Sequence, residues 1–158
     1  MSVIFARGTA EPGNVGILTG PPFFAAIAEY LNGTNQLAIQ GVDYPADITG
    51  FLEGGSPIGV AVMCAAAALP ANTTAKISSV VLFGDPKNGT AIQGIAADKV
   101  LTICHTGDDI CKGGDDISLS HLNYSLDAGT AAMFALGSAG AKLGITSQKM
   151  RPAGGGLG

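Results

Sequence analysis

The chain has 158 residues, nearly half of them apolar, only 13% charged, with a net charge of −4. That length holds one domain with a substantial core, and the composition excludes a disordered body. There is no Lys/Arg run to give nucleic acid an electrostatic footprint, and no apolar run long enough to span a membrane.

In chain order, Val3–Ala6 is predicted as a short buried strand, followed by a Gly- and Pro-containing loop over Arg7–Asn14. Pro21 and Pro22 open a helix that runs to about Leu31 and stops at Asn32-Gly33. Leu37–Val42 is the next strand, and Tyr44–Gly55 is irregular. Ser56-Pro57 has the pattern of an N-cap followed by proline at the first helical position, which predicts a helix to Leu69. Pro70-Ala71-Asn72 is a loop, Ser79–Phe83 a strand, Gly84–Gly89 a turn and Val100–His105 the last strand. A helix from about Asp127 to Leu143 closes the fold. Strands alternating with helices predict an α/β architecture with a mainly parallel sheet covered on both faces. Residues 1–150 form a single domain and 151–158 a flexible Gly-rich tail.

Met1 directly precedes the first predicted strand, so no signal peptide is read in this chain. Four of the six asparagines, Asn32, Asn72, Asn88 and Asn123, nevertheless begin glycosylation sequons, which favours a secreted, extracellular origin. A Cys104–Cys111 bridge fits the same compartment, and Cys64 is then a buried free thiol.

The chemistry concentrates in Cys104-His105-Thr106-Gly107-Asp108-Asp109-Ile110-Cys111 and in His121, which follows Asp108 by thirteen residues. A carboxylate and an imidazole on neighbouring loops, one of them stapled by a disulfide, are two thirds of a nucleophilic triad. His105 reads as structural, and Asp109, Asp115 and Asp116 as a solvated acidic rim. No Cys/His cluster suggests a metal, and no cofactor is implied.

Ile4–Thr9 with Glu11–Asn14, Gly41–Ala46, Val80–Pro86, and the Gly107-Asp108-x-x-Cys111 turn followed by His121-Leu122-Asn123-Tyr124 together resemble fungal cutinases, from about Val3 to Leu143. The resemblance implies a secreted, lidless, three-layer α/β/α hydrolase sandwich that cleaves carboxylic esters, cutin polyester or short acyl esters, by a serine mechanism. It implies Asp108 as triad acid, His121 as base, Thr9 as oxyanion residue, and Ile117 and Leu119 as walls of the acyl groove. A monomer with an ester substrate as its partner is expected.

The family carries its serine in Gly-Tyr-Ser-Gln-Gly, and that motif is absent from this sequence. The segment from Phe51 to Leu69 reads as the family's preceding loop joined to its following helix, with one central strand missing between them. Counting back without gaps from Leu69-Pro70 places Ser56 at the nucleophile position. Pro57 then follows it, and proline has no N–H to offer an oxyanion. Ser56 is thus either the nucleophile or simply a helix N-cap. The function is correspondingly ester hydrolysis or, as the alternative, that of a catalytically silent, shortened relative acting as a binding module.

Overall fold

The computed structural model describes residues 1–32, 36–52 and 69–140. Ser56, Cys64, the helix expected over 56–69 (its last residue excepted) and the tail from Pro152 lie outside the described residues.

The chain begins with β1 (Ser2–Phe5), crosses through α1 (Gly20–Tyr30) and returns as β2 (Ala38–Gly41), parallel to β1 with Val3 opposite Ile39 and Phe5 opposite Gly41. Prolines in the first turn of α1 cost no hydrogen bond, because the first N–H groups of a helix have no internal partner. β3 (Val80–Phe83) and β4 (Val100–Ile103) form a second parallel pair, with Val80 opposite Val100 and Phe83 opposite Ile103. Among the described residues the two pairs are separate two-stranded sheets.

Both pairs lie on one helical layer. Alternate strand residues (Val3 and Phe5 of β1, Val81 and Phe83 of β3, Ile103 of β4) pack against Phe23, Phe24 and Ile27 of α1 and against Ala131, Ala132, Ala135 and Leu136 of α5 (Ala128–Ser138). The alanines of α5 let the two helices approach closely, and Ile27, Ala131, Ala132 and Leu136 are fully buried there. Ile4, which points to the other face of β1, is 76% exposed. Leu82 turns to the opposite side of β3 and packs on Ile92.

An aromatic chain runs from this core to the carboxyl ends of the strands. Phe5 meets Phe24 edge-on at 5.2 Å, Phe23 meets Phe83 at 5.8 Å, and Phe83 meets Tyr124 at 6.2 Å.

The structure corrects the expected boundaries in four places. Residues 48–52, expected to be irregular, form α2 (Ile48–Leu52), because the Asp47 carboxylate accepts the Gly50 N–H at 2.7 Å and caps the turn. Residues expected as loop after Pro70 form α3 (Ala71–Thr74), closed by the Pro70 carbonyl, which accepts from the Thr73 and Thr74 N–H groups. His121 is carried by a one-turn helix, α4 (Leu119–Leu122), rather than a loop. The last helix starts as expected, with Asp127 as its N-cap after a 3-10 turn over Tyr124–Asp127, but ends at Ser138 rather than Leu143.

Candidate active site

Asp108 sits just beyond the carboxyl end of β4. The chain leaves the strand through Cys104 and turns over His105–Asp108, where the Asp108 N–H donates to the His105 carbonyl at 3.1 Å. The third position of that turn requires a positive φ, and Gly107 supplies it at 88°. The Cys104–Cys111 disulfide closes the loop, with the two Cα atoms 6.0 Å apart. The expected pairing is therefore present.

The Asp108 carboxylate is 1% exposed, so its charge needs partners. Oδ1 accepts the Ile110 N–H at 3.0 Å, and Oδ2 accepts the Tyr124 hydroxyl at 2.5 Å. His121 Nδ1 lies 3.0 Å from Oδ2 and 3.2 Å from Oδ1. The Cys111 sulfur, 3.5 Å from Oδ2, is oxidised and donates nothing. Burial pushes the carboxyl pKa up, but the hydrogen bonds from Tyr124, His121 and Ile110 and the charge on His121 outweigh it, leaving Asp108 below the usual carboxylate range. An ionised, oriented acceptor on Nδ1 fixes the tautomer that leaves Nε2 able to accept a proton.

The sequence did not single out Tyr124 or Gly84 as functional, yet both shape the dyad. Tyr124 is 3% exposed, lies edge-on to His121 at 5.9 Å, and has its phenol pKa pushed well up by burial and by the Asp108 hydrogen bond, so its proton stays on the bond to Asp108. Gly84, at the carboxyl end of β3, is the floor under both rings. A Cβ there would fall 2.7 Å from His121 Cε1 and 2.8 Å from Tyr124 Cε2, and its φ is 58°. The signal for Tyr124 is its place three residues after His121, where the chain leaves α4 for the 3-10 turn. The signal for Gly84 is a glycine directly after a buried strand, which also reads as an ordinary turn.

Thr9 is half-buried in a braced loop. The Glu11 carboxylate accepts three backbone N–H groups, from Gly8, Ile17 and Leu18, each at 2.8 Å. Arg7 Nε donates to the Glu11 carbonyl at 2.8 Å and Nη2 to the Pro45 carbonyl at 3.1 Å, while the guanidinium lies 5.0 Å from the Tyr44 ring centroid. The Tyr44 hydroxyl donates to the Arg7 carbonyl, and burial pushes its pKa up to about 12, with Arg7 opposing and Glu11 assisting. The loop is therefore held rigid on both sides of Thr9.

Ile117 and Leu119 are 51% and 82% exposed; Leu119 opens α4 and Ile117 lies two residues before it. In the acidic rim, Asp109 Oδ2 accepts the Asp116 N–H at 3.2 Å. No cluster of three or more His, Cys, Asp or Glu side chains able to hold a metal occurs among the described residues. Among them, too, no helix is long and apolar enough to cross a membrane. A cavity of about 480 Å³ lined by residues including Met1, Ser2, Lys76 and Ser78 lies at the amino ends of β1 and β3, away from the dyad.

Comparison with known proteins bears directly on this arrangement. A protein-family model described as Cutinase matches residues 1–67 and 56–138. The cutinase of Botryotinia fuckeliana is 45% identical over 169 residues, covering 89% of this chain and 83% of the relative. Cutinase pbc1 of Pyrenopeziza brassicae is 44% identical over 164 residues, covering 85% and 80%. A solved Trichoderma reesei cutinase in complex with a C11Y4 phosphonate inhibitor superposes with a TM-score of 0.79 at 41% identity, covering 87% of this chain and 75% of that one. With the α/β fold, the strand-end dyad and these matches together, the chain belongs to the cutinase family of serine carboxylic-ester hydrolases.

Proposed function

We propose that this chain hydrolyses carboxylic esters, cutin polyester or short acyl esters, with Asp108 and His121 as its acid–base machinery. The observation that carries this reading is the 3.0 Å contact between His121 Nδ1 and a carboxylate that is 1% exposed. Burying that charge is costly, and a binding module without chemistry has no need of it. The Trichoderma reesei relative binds a phosphonate inhibitor, and a tetrahedral phosphonate resembles the transition state of acyl transfer.

In the proposed cycle His121 Nε2 takes the hydroxyl proton of a serine as that oxygen attacks the ester carbonyl. Asp108 stabilises the imidazolium that results. The proton then passes to the leaving alcohol, and water, activated by the same nitrogen, cleaves the acyl-enzyme. Thr9, in the loop braced by Glu11, donates to the oxyanion. Ile117 and Leu119 receive the acyl chain or the polyester surface.

The nucleophile proposed is Ser56, which the ungapped count from Leu69-Pro70 places at the family position. Pro57 withholds the N–H that normally follows the nucleophile, and loss of one such donor costs about 10²–10³ in rate. Secretion is proposed from the sequons, whose four asparagines are all exposed. We propose, too, that the chain acts as a monomeric single domain over residues 1–150.

Steady-state kinetics on short p-nitrophenyl esters test the assignment. Ser56→Ala should abolish turnover, and Pro57→Gln should raise kcat, up to about 10²-fold if the restored N–H reaches the oxyanion. Turnover that survives Ser56→Ala would remove Ser56 from the mechanism.

A further inference from the structure

The second histidine has no part in the cycle above, yet it is bonded on every side. His105 Nδ1 lies 2.7 Å from the Ser120 carbonyl and Nε2 lies 2.6 Å from Asp127 Oδ2. Both of these partners accept; with both ring nitrogens donating to them the ring is an imidazolium, and the Asn123 side-chain amide, 3.0 Å from Nδ1, then turns its oxygen to the ring. Its face stacks on Tyr124, with centroids 4.2 Å apart and planes at 19°. Its backbone N–H donates at 3.0 Å to the Tyr124 hydroxyl, the same hydroxyl that donates to Asp108.

Asp127 points to the same conclusion independently. It is the N-cap residue of α5, where aspartate ordinarily accepts a backbone N–H of the first turn, yet its side chain makes no capping bond. Its carboxylate is committed to His105 instead.

We propose that His105 is a positioning residue for the dyad: its imidazolium ties the α4 main chain beside His121, through the Ser120 carbonyl, to the Asp127 carboxylate at the head of α5, while its backbone N–H sets the Tyr124 hydroxyl against Asp108. Its bearing on catalysis rests on the functional reading above; the clamp itself does not.

The titratable groups facing the ring are few. Asp127 comes from the turn before α5, and the Tyr124 phenol, held protonated, covers one face. Behind Tyr124 stands Asp108, and His121 lies edge-on to Tyr124. α4 presents the Ser120 carbonyl, and the uncharged Asn123 amide stands 3.0 Å from Nδ1, accepting from the protonated ring with its oxygen and donating to the neutral ring when reversed. Burial lowers the His105 pKa, but the Ser120 and Asp127 hydrogen bonds and the Asp127 charge raise it further, so the net direction is up. With Asp127 ionised, the clamp is accordingly complete below the elevated His105 value and is lost as pH rises through it.

The chain has only two histidines, so one substitution assigns both ring resonances. The test is an NMR titration of 13C-labelled histidine rings in the full chain, run beside a pH profile of ester hydrolysis. His105 should lose its proton above the ordinary histidine range, and the His121 resonance should record that event as a second inflection. Asp127→Asn keeps an acceptor but removes the charge, and should move both the His105 transition and the second His121 inflection to lower pH. The alkaline limb of kcat should move down with them, with little change in KM. His105→Phe keeps the stack and removes both side-chain bonds, and should delete the second inflection. A His121 titration with one inflection, unaffected by either variant in folded protein, would overturn the proposal. Absence of hydrolysis with the NMR coupling intact would instead refute the functional reading and leave the clamp standing.

Discussion

At the scale of single residues, the site depends on one absent side chain as much as on those present. His121 and Tyr124 lie against Gly84, and any Cβ there would come within 2.7–2.9 Å of their ring atoms while holding a φ of 58°. Gly84→Ala should therefore displace His121 rather than simply add bulk. A shift of about 1 Å in a catalytic group typically costs on the order of 10² in rate. The expected outcome is a drop in kcat of that size with a modest fall in thermal midpoint, and an unchanged kcat would show that the ring is positioned by other contacts. The dyad itself was legible in the sequence because its supports are sequence-local: the Gly107 turn, the two flanking cysteines and the thirteen-residue spacing to His121. Tyr124 and Asp127 were not legible as site residues, because each has an ordinary local reading. A tyrosine near a helix start reads as core, and an aspartate at a helix start reads as a cap. Only the tertiary fold shows that Tyr124 donates to Asp108 and that Asp127 leaves the cap undone to hold His105.

At the scale of elements, boundaries followed hydrophobic pattern where pattern was strong and failed where a side chain or a single carbonyl made the turn. The four strands and α1 fall within a residue or two of expectation, since the strands are short, mostly apolar runs and α1 opens on proline. The one-turn helices α2, α3 and α4 carry too few residues for a periodic signal and depend on Asp47, on Pro70 and on the loop that returns His121 to the sheet. The Cys104–Cys111 loop is the element on which the site leans most. In the chain-entropy account, closing eight residues stabilises the fold by about 2.5 kcal/mol. Cys111→Ser, or reduction at fixed pH, should lower the unfolding free energy by about that amount in chemical denaturation and should raise the exchange rate of the Ile110 amide, whose N–H donates to Asp108. A variant with unchanged stability and exchange would mean the Asp108 loop is held by its hydrogen bonds alone.

At the scale of the whole molecule, two parallel strand pairs share one helical layer, and an aromatic chain leads from that layer to the dyad at the strand ends. The parallel α/β arrangement and its strand-end site were legible from the alternation of elements, as is general for open α/β sheets. The step between the two pairs includes residues 53–68, which lie outside the described residues. The family model matches residues 56–67 in both of its pieces. The central claim is that the assembled dyad activates a serine of this chain. The most direct measurement is reaction of the folded protein with a fluorophosphonate, read by intact mass and peptide mapping. The account predicts one label per chain, on Ser56, absent in Ser56→Ala and strongly slowed in His121→Ala. No label on the folded chain, or a label whose rate is indifferent to His121, would contradict it.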